Sequence, residues 1–185
     1  KIMSCDITHG RLEQCKDIIG GLNAIFVLNY GLYDATTDVT YVGTTDEISA
    51  IALPASTPVY KFELKGTNSF ETTITSSREN GTTFFEQVLA VTLKKQDVQT
   101  HKEVKLLTYG RPNIIVRTNA NQYFIAGLER GMDVTAGTIG NGTNLGDMSG
   151  YSLTFTGQEA IPANFLDCTT EAQLASLLGG AVITV

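Results

Sequence analysis

"VYKFELKGTNSFETTITSSRENGTTFFEQVLAVTLKK", residues 59 to 95, holds three runs of alternating side chains separated by two turn signals. In the first run Tyr60, Phe62 and Leu64 fall on one side, with Val59, Lys61, Glu63 and Lys65 on the other. A period of two marks a half-buried strand. Gly66-Thr67-Asn68 turns the chain into 69–80, whose Ser and Thr content suits a solvated sheet face. Asn80-Gly81 is a strong hairpin signal and leads into 84–95. There Phe85, Leu89, Val91 and Leu93 share a face that Gln87 interrupts, while Glu86, Thr92 and Lys94 lie opposite. The stretch predicts three consecutive strands in one antiparallel meander.

Upstream, 4–23 reads as an irregular lead-in, 24–31 and 39–43 as strands, and 44–53 as a short helical turn. Thr45 would cap that turn, with Ile48, Ile51 and Ala52 at helical spacing. Downstream, 97–110 predicts a helix capped by Asp97, ended by Gly110 and closed off by Pro112. Thr100, Val104 and Leu107 would face the sheet, and His101, Lys102 and Lys105 the solvent. Strands follow over 113–119 and 121–131. In 151–159, Tyr151, Leu153 and Phe155 alternate with Ser152, Thr154 and Thr156. Residues 169–180 carry a capping box, Thr170 with Gln173, and a Leu174, Leu177, Leu178 stripe. A final strand occupies 181–185. About nine strands and two helices without βαβ alternation predict an α+β, mainly β domain over 1–185. Its expected form is two packed antiparallel sheets, sandwich- or barrel-like, with one flanking helix and a short C-terminal helix.

The stretch 137–150, "GTIGNGTNLGDMSG", has five glycines. A phosphate cradle needs backbone N–H groups converging at a helix N-terminus, usually with a Lys. This stretch has neither Lys nor Arg, carries Asp147 and runs into a strand. It reads instead as a long extended loop, with Gly137, Gly140, Asn141, Gly142, Asn144, Gly146, Asp147 and Gly150 available to touch a neighbouring subunit. Cys5, His9 and Cys15 match no standard zinc spacing, and the two histidines leave little room for a nucleophilic triad. No cofactor, metal or catalytic group is expected. A formal charge of −6 argues against gripping nucleic acid, which needs a cationic face. Three cysteines are too sparse for a secreted disulfide framework, and neither a leader nor a membrane span is visible.

Four stretches read together, "SCDITHGRLEQCKDIIGGLNAIFVLNYG", "SFETTITSSRENGTTFFEQVLAVTLKK", "LLTYGRPNIIVRTNANQYFIAGLERGMDVTAGT" and "GDMSGYSLTFTGQEAIPANFL", resemble virion proteins of tailed bacteriophages infecting Bacteroidota, foremost the major tail tube proteins. The segment 32–58 does not contribute. The resemblance implies hexameric rings stacked head to tail into a hollow tube, a structural and non-enzymatic role, and assembly in a host bacterial cytoplasm. It implies self-association, contacts with other tail proteins, and DNA as a weakly bound passing cargo. Strands of six subunits would form one inner barrel, and long loops with the N-terminal segment would reach the next ring. Alternation then nominates Glu63, Glu71, Thr73, Glu86, Ser152, Thr154 and Thr156 as lumen-facing, with Lys61 and Lys65 counting against Glu63. Rival readings are a tail terminator, completion or head–tail ring protein, a cellular β-rich binding module, and an enzyme of unknown type.

Overall fold

The computed structural model describes residues 7–185. From Ile7 to Gly21 the chain is irregular and exposed, and the first strand, β1, is Leu22–Leu28. Then come β2 (Val39–Tyr41), β3 (Ile48–Ile51), β4 (Pro58–Glu63), β5 (Ser69–Ser77) and β6 (Thr82–Lys94). Helix α1 (Val98–Tyr109) leads to β7 (Asn113–Thr118), β8 (Tyr123–Ala126), β9 (Asp133–Gly140), β10 (Gly150–Glu159) and β11 (Asn164–Leu166). The chain ends with α2 (Glu171–Leu177) and β12 (Val182–Thr184).

The strands form two sheets. One has eight strands in the order β12-β4-β1-β7-β8-β11-β3-β2, and the other has four in the order β5-β6-β10-β9. The fold is therefore α+β, mainly β, and neither sheet closes into a barrel. The four-stranded sheet consists of two hairpins, β5–β6 and β9–β10, inserted into the chain of the larger sheet. Their long inner strands pair with each other from Gly150↔Lys94 to Glu159↔Phe85. Because β5 runs away from the Lys94 end while β9 runs toward it, the two hairpin tips, 78–81 and 141–149, project at opposite ends of the sheet.

Period-two alternation distributes the core. The odd residues Leu89, Val91, Tyr151, Leu153 and Phe155 meet Ile25, Val27, Ile114 and Val116 of the large sheet, with Val104 of α1 closing one side. The opposite face of the large sheet carries Ala24, Phe26, Ile115, Tyr123 and Ile125, sealed by Leu174, Leu177 and Leu178 around α2. Strands buried on both faces read as continuous apolar runs. This is why β1 and β7 lack clean alternation.

The large sheet is mixed, not antiparallel throughout as expected, because β12–β4 and β11–β3 pair in parallel, and further expectations are corrected. First, β4 does not pair with β5: it joins β1 and β12 in the large sheet, and 64–68 carries the chain from one sheet to the other. The buried Asn68 makes that crossing, its Oδ1 accepting the Thr92 N–H at 2.8 Å just before β5 pairing begins. Second, 44–53 contains strand β3 and no helical turn. Third, the loop expected over 137–150 is shorter, since Gly137 to Gly140 belong to β9 and Gly150 opens β10. There are also twelve strands among the described residues, more than the reading of about nine.

Helix α1 keeps its expected limits. The Asp97 carboxylate accepts from Gln99 N–H and Thr100 N–H, and Gly110 ends it. Helix α2 has the full capping box, with Gln173 N–H donating to the Thr170 hydroxyl and the Gln173 side chain accepting from Thr170 N–H.

Candidate functional site

The register of the four-stranded sheet gathers six of the seven alternation-derived residues onto one solvent face. One row runs Glu71, Val88, Thr156, Asp133, and the row beside it runs Thr73, Glu86, Gln158. Toward the other end come Ser69, Ala90, Thr154, Ala136, then Thr92, Ser152, Thr138. Thr135 and Thr156 hydroxyls lie 2.9 Å apart across β9 and β10. The face is thus polar and hydroxyl-rich, with Glu71, Glu86 and Asp133 as its carboxylates. Glu63 does not belong to it. It ends β4 in the other sheet, 3.2 Å from Lys61 Nζ.

Both edges of this sheet are long: β5 has nine residues and β9 eight. The edges of the large sheet, β12 and β2, have three each. Short edge strands are a standard protection against unwanted pairing, and the small sheet lacks it.

The Gly-rich tip is organised from within. The Asp147 carboxylate accepts from Thr143 N–H at 2.8 Å and Asn144 N–H at 2.7 Å, and these bonds hold its pKa below the usual carboxylate value. Gly142 turns at φ +74°, where an L side chain would be strained and would meet Asp147. Leu145 and Met148 stay exposed on this tip, and Ile139 on the strand entering it. Gly140, Asn141 and Gly146 have no Cβ-level neighbour or lie at the surface, and the Gln96 side chain anchors the loop root by donating to Gly140 O at 3.0 Å.

One cluster escaped the sequence reading. The loop 127–131, which carries the chain from the large sheet to the small one, is fastened by three buried polar side chains. Gln87 Oε1 accepts the Gly127 N–H at 2.9 Å, Asn113 donates to Gly127 O, and Glu159 accepts from Glu129 and Arg130 N–H. Tyr33 adds a hydroxyl bond to Leu128 O at 2.8 Å. The signal was present in part: Gln87 broke an otherwise apolar face because it serves this loop. Burial lifts Glu159 above the ordinary carboxylate pKa.

Elsewhere, Lys61 and Arg117 both approach Glu171 Oε1, at 2.8 and 3.1 Å, tying α2 to β4 and β7. Glu171 first, and then Glu63, raise the Lys61 pKa. Two surface grooves, of about 410 and 330 Å³, run between α1 and β4 past Tyr60, Phe62 and Glu103. Among the described residues no three His, Cys, Asp or Glu side chains cluster as metal ligands, and no helix is long and apolar enough to cross a membrane. Cys5 of the Cys5, His9, Cys15 arrangement lies outside the described residues. Comparison with protein-family models, curated proteins and solved structures gives no match to this chain.

Proposed function

We propose that the chain is a structural subunit of a phage tail tube, polymerising into stacked rings that conduct DNA and catalysing nothing. The observation carrying this reading is a four-stranded antiparallel sheet with a polar outer face and two long edge strands. An even strand count makes β5 and β9 run in opposite directions. In a rotational ring β9 of one copy therefore meets β5 of the next antiparallel, and the ladder continues without a break.

Dimensions support the reading. Six such sheets supply twenty-four strands; at about 4.8 Å spacing and about 40° tilt they enclose about 48 Å between facing backbones. Side chains take about 10 Å of that, leaving room for a duplex, whereas three copies would leave only about 14 Å. Tilt also demands stagger. Over four strands a tilt of about 40° displaces the edge by about 16 Å, or about five residues. The midpoint of β5, Thr73, lies level with Glu86 of β6, and the midpoint of β9, Ala136–Gly137, lies level with Ala90–Val91, a built-in offset of four to five residues.

In this assembly Glu71, Glu86 and the Thr/Ser rows face the lumen, and a net charge of −6 keeps passing DNA from adhering. The partners are further copies and other tail proteins, and the location is the virion after assembly in the host cytoplasm.

The test is negative-stain electron microscopy of purified protein across concentrations, with light scattering for mass. Tubes of stacked six-fold rings are expected. Closed single rings would assign a terminator or completion role, and a monomer at every concentration would sink the reading. Replacing Glu71 and Glu86 by Lys should leave tubes intact while slowing genome ejection from reconstituted particles; unchanged ejection would remove these residues from the lumen.

A further inference from the structure

At the β9 edge, level with Thr156 and Gln158, lies a shallow hollow of about 340 Å³ lined by Arg111, Arg130, Asp133, Thr135, Thr156 and Gln158. Arg111 is set in place by Tyr30, its guanidinium 4.2 Å over the ring. Arg130 is fixed through its backbone, whose N–H bonds to the buried Glu159 at 2.8 Å. Among the described residues the ion pairs are Lys61–Glu63, Lys61–Glu171 and Arg117–Glu171, so neither arginine has a carboxylate at pairing distance. The Arg111 guanidinium, held over Tyr30, and the exposed Arg130 side chain flank two threonine hydroxyls; Asp133 shares the hollow but pairs with neither arginine, which leaves both free to take a carboxylate from outside.

The opposite edge of the same sheet carries an unpaired carboxylate. The β5–β6 turn, Arg78-Glu79-Asn80-Gly81, is exposed, and Glu79 has no cation at pairing distance among the described residues. The stagger decides what this turn meets. Thr156 and Gln158 lie level with Val88 and Glu86 of β6. Lowering that level by the four to five residues of offset leads, on the neighbouring copy, to Ser77↔Thr82 and the turn beyond it. Edge pairing therefore delivers the 78–81 turn of one copy to the arginine hollow of the next.

We infer that Glu79 seats between Arg111 and Arg130 of the adjacent copy and fixes the register of the ring, with Asp133 on the same rim receiving Arg78. The occupant is a second copy of this chain, chosen by charge complementarity at matched height. The inference rests on the edge-to-edge reading above. Register needs such a device because Thr-, Ser- and Gly-rich edges specify sliding poorly. An ionic latch at the end of the ladder discriminates between registers that the backbone alone does not.

The experiment compares wild type, Glu79→Arg, Arg130→Glu and the double exchange by the concentration needed for ring formation, at low and high salt. Each single reversal should raise that concentration by at least about tenfold at low salt, with the double exchange recovering most of the loss. Raising the salt should cost wild type assembly and narrow its gap from the single variants. Circular dichroism and thermal melting of the monomer check that each variant folds, which the exposed position of Glu79 favours. Wild-type rings with Glu79→Arg assembling equally well would overturn the latch while leaving the ring standing. A wild type that never leaves the monomer would overturn both.

Discussion

Glu159 is a carboxylate with 2 % of its surface exposed, accepting two backbone N–H groups through one oxygen. Its raised pKa means that the folded state holds the proton more tightly than the unfolded chain. Its contribution therefore favours folding below the ordinary carboxylate value and fades as pH rises through the raised one. Glu159→Gln keeps the accepting oxygen and removes the titration, so denaturant stability of this variant should vary less between about pH 4 and pH 7 than that of wild type. Glu159→Ala should cost about 1–3 kcal/mol by leaving the 127–131 loop donors without their partner. Equal losses for both variants would mean that charge, not acceptance, is what the loop requires. Cys168 makes a second test of burial. Desolvation first, with Asp167 and Glu47 adding, pushes its thiol up to about 12. At pH 8 it has almost no thiolate, so iodoacetamide should alkylate exposed Cys15 in the native protein and spare Cys168 until unfolding. Peptide mass mapping reads both sites at once.

Among the elements, α2 has only seven residues and depends on its ends. Thr170→Ala removes the capping hydroxyl and should cost about 0.5–2 kcal/mol by denaturant titration. Leu174→Ala, at a fully buried position under the large sheet, should cost about 2–5 kcal/mol. A cap effect as large as the core effect would contradict this assignment of roles. This helix was legible because its cap and leucine stripe are local in sequence. Strands β6 and β10 were legible because each buries one face only. Strand β3 was not, for a physical reason: its pairing with β2 steps from Thr40↔Ala50 to Tyr41↔Ile48, leaving Ser49 as a bulge. The extra residue puts Ile48 and Ile51 on one side at a spacing of three, which imitates a helix turn. The departure of β4 from β5 was equally hidden, since Gly66-Thr67-Asn68 serves a hairpin or a crossing alike. Six of the seven alternation-derived residues came together because β5, β6 and β10 are contiguous; the arginine hollow did not announce itself because it draws on 111, 130 and 156, which only the tertiary fold joins.

At the scale of the molecule, the two sheets divide the work: the large one, with short edges, holds more of the buried residues than the small one, which presents long edges and a polar face. Amide hydrogen exchange distinguishes them. In the monomer, outward N–H groups of β5 and β9 should exchange rapidly while β1 and β7 remain protected, and on assembly protection should appear selectively along those two edges. Uniform protection, or none, would place the contact elsewhere. The hairpin tips have a further consequence. Because 78–81 and 141–149 emerge at opposite ends of one sheet, any ring made from it has two unlike rims, one charged and one studded with Leu145 and Met148. A stack of such rings is a vector: whatever its length, it shows a different chemistry at each terminus. The factor that starts growth and the factor that stops it must then bring different surfaces, and neither can substitute for the other.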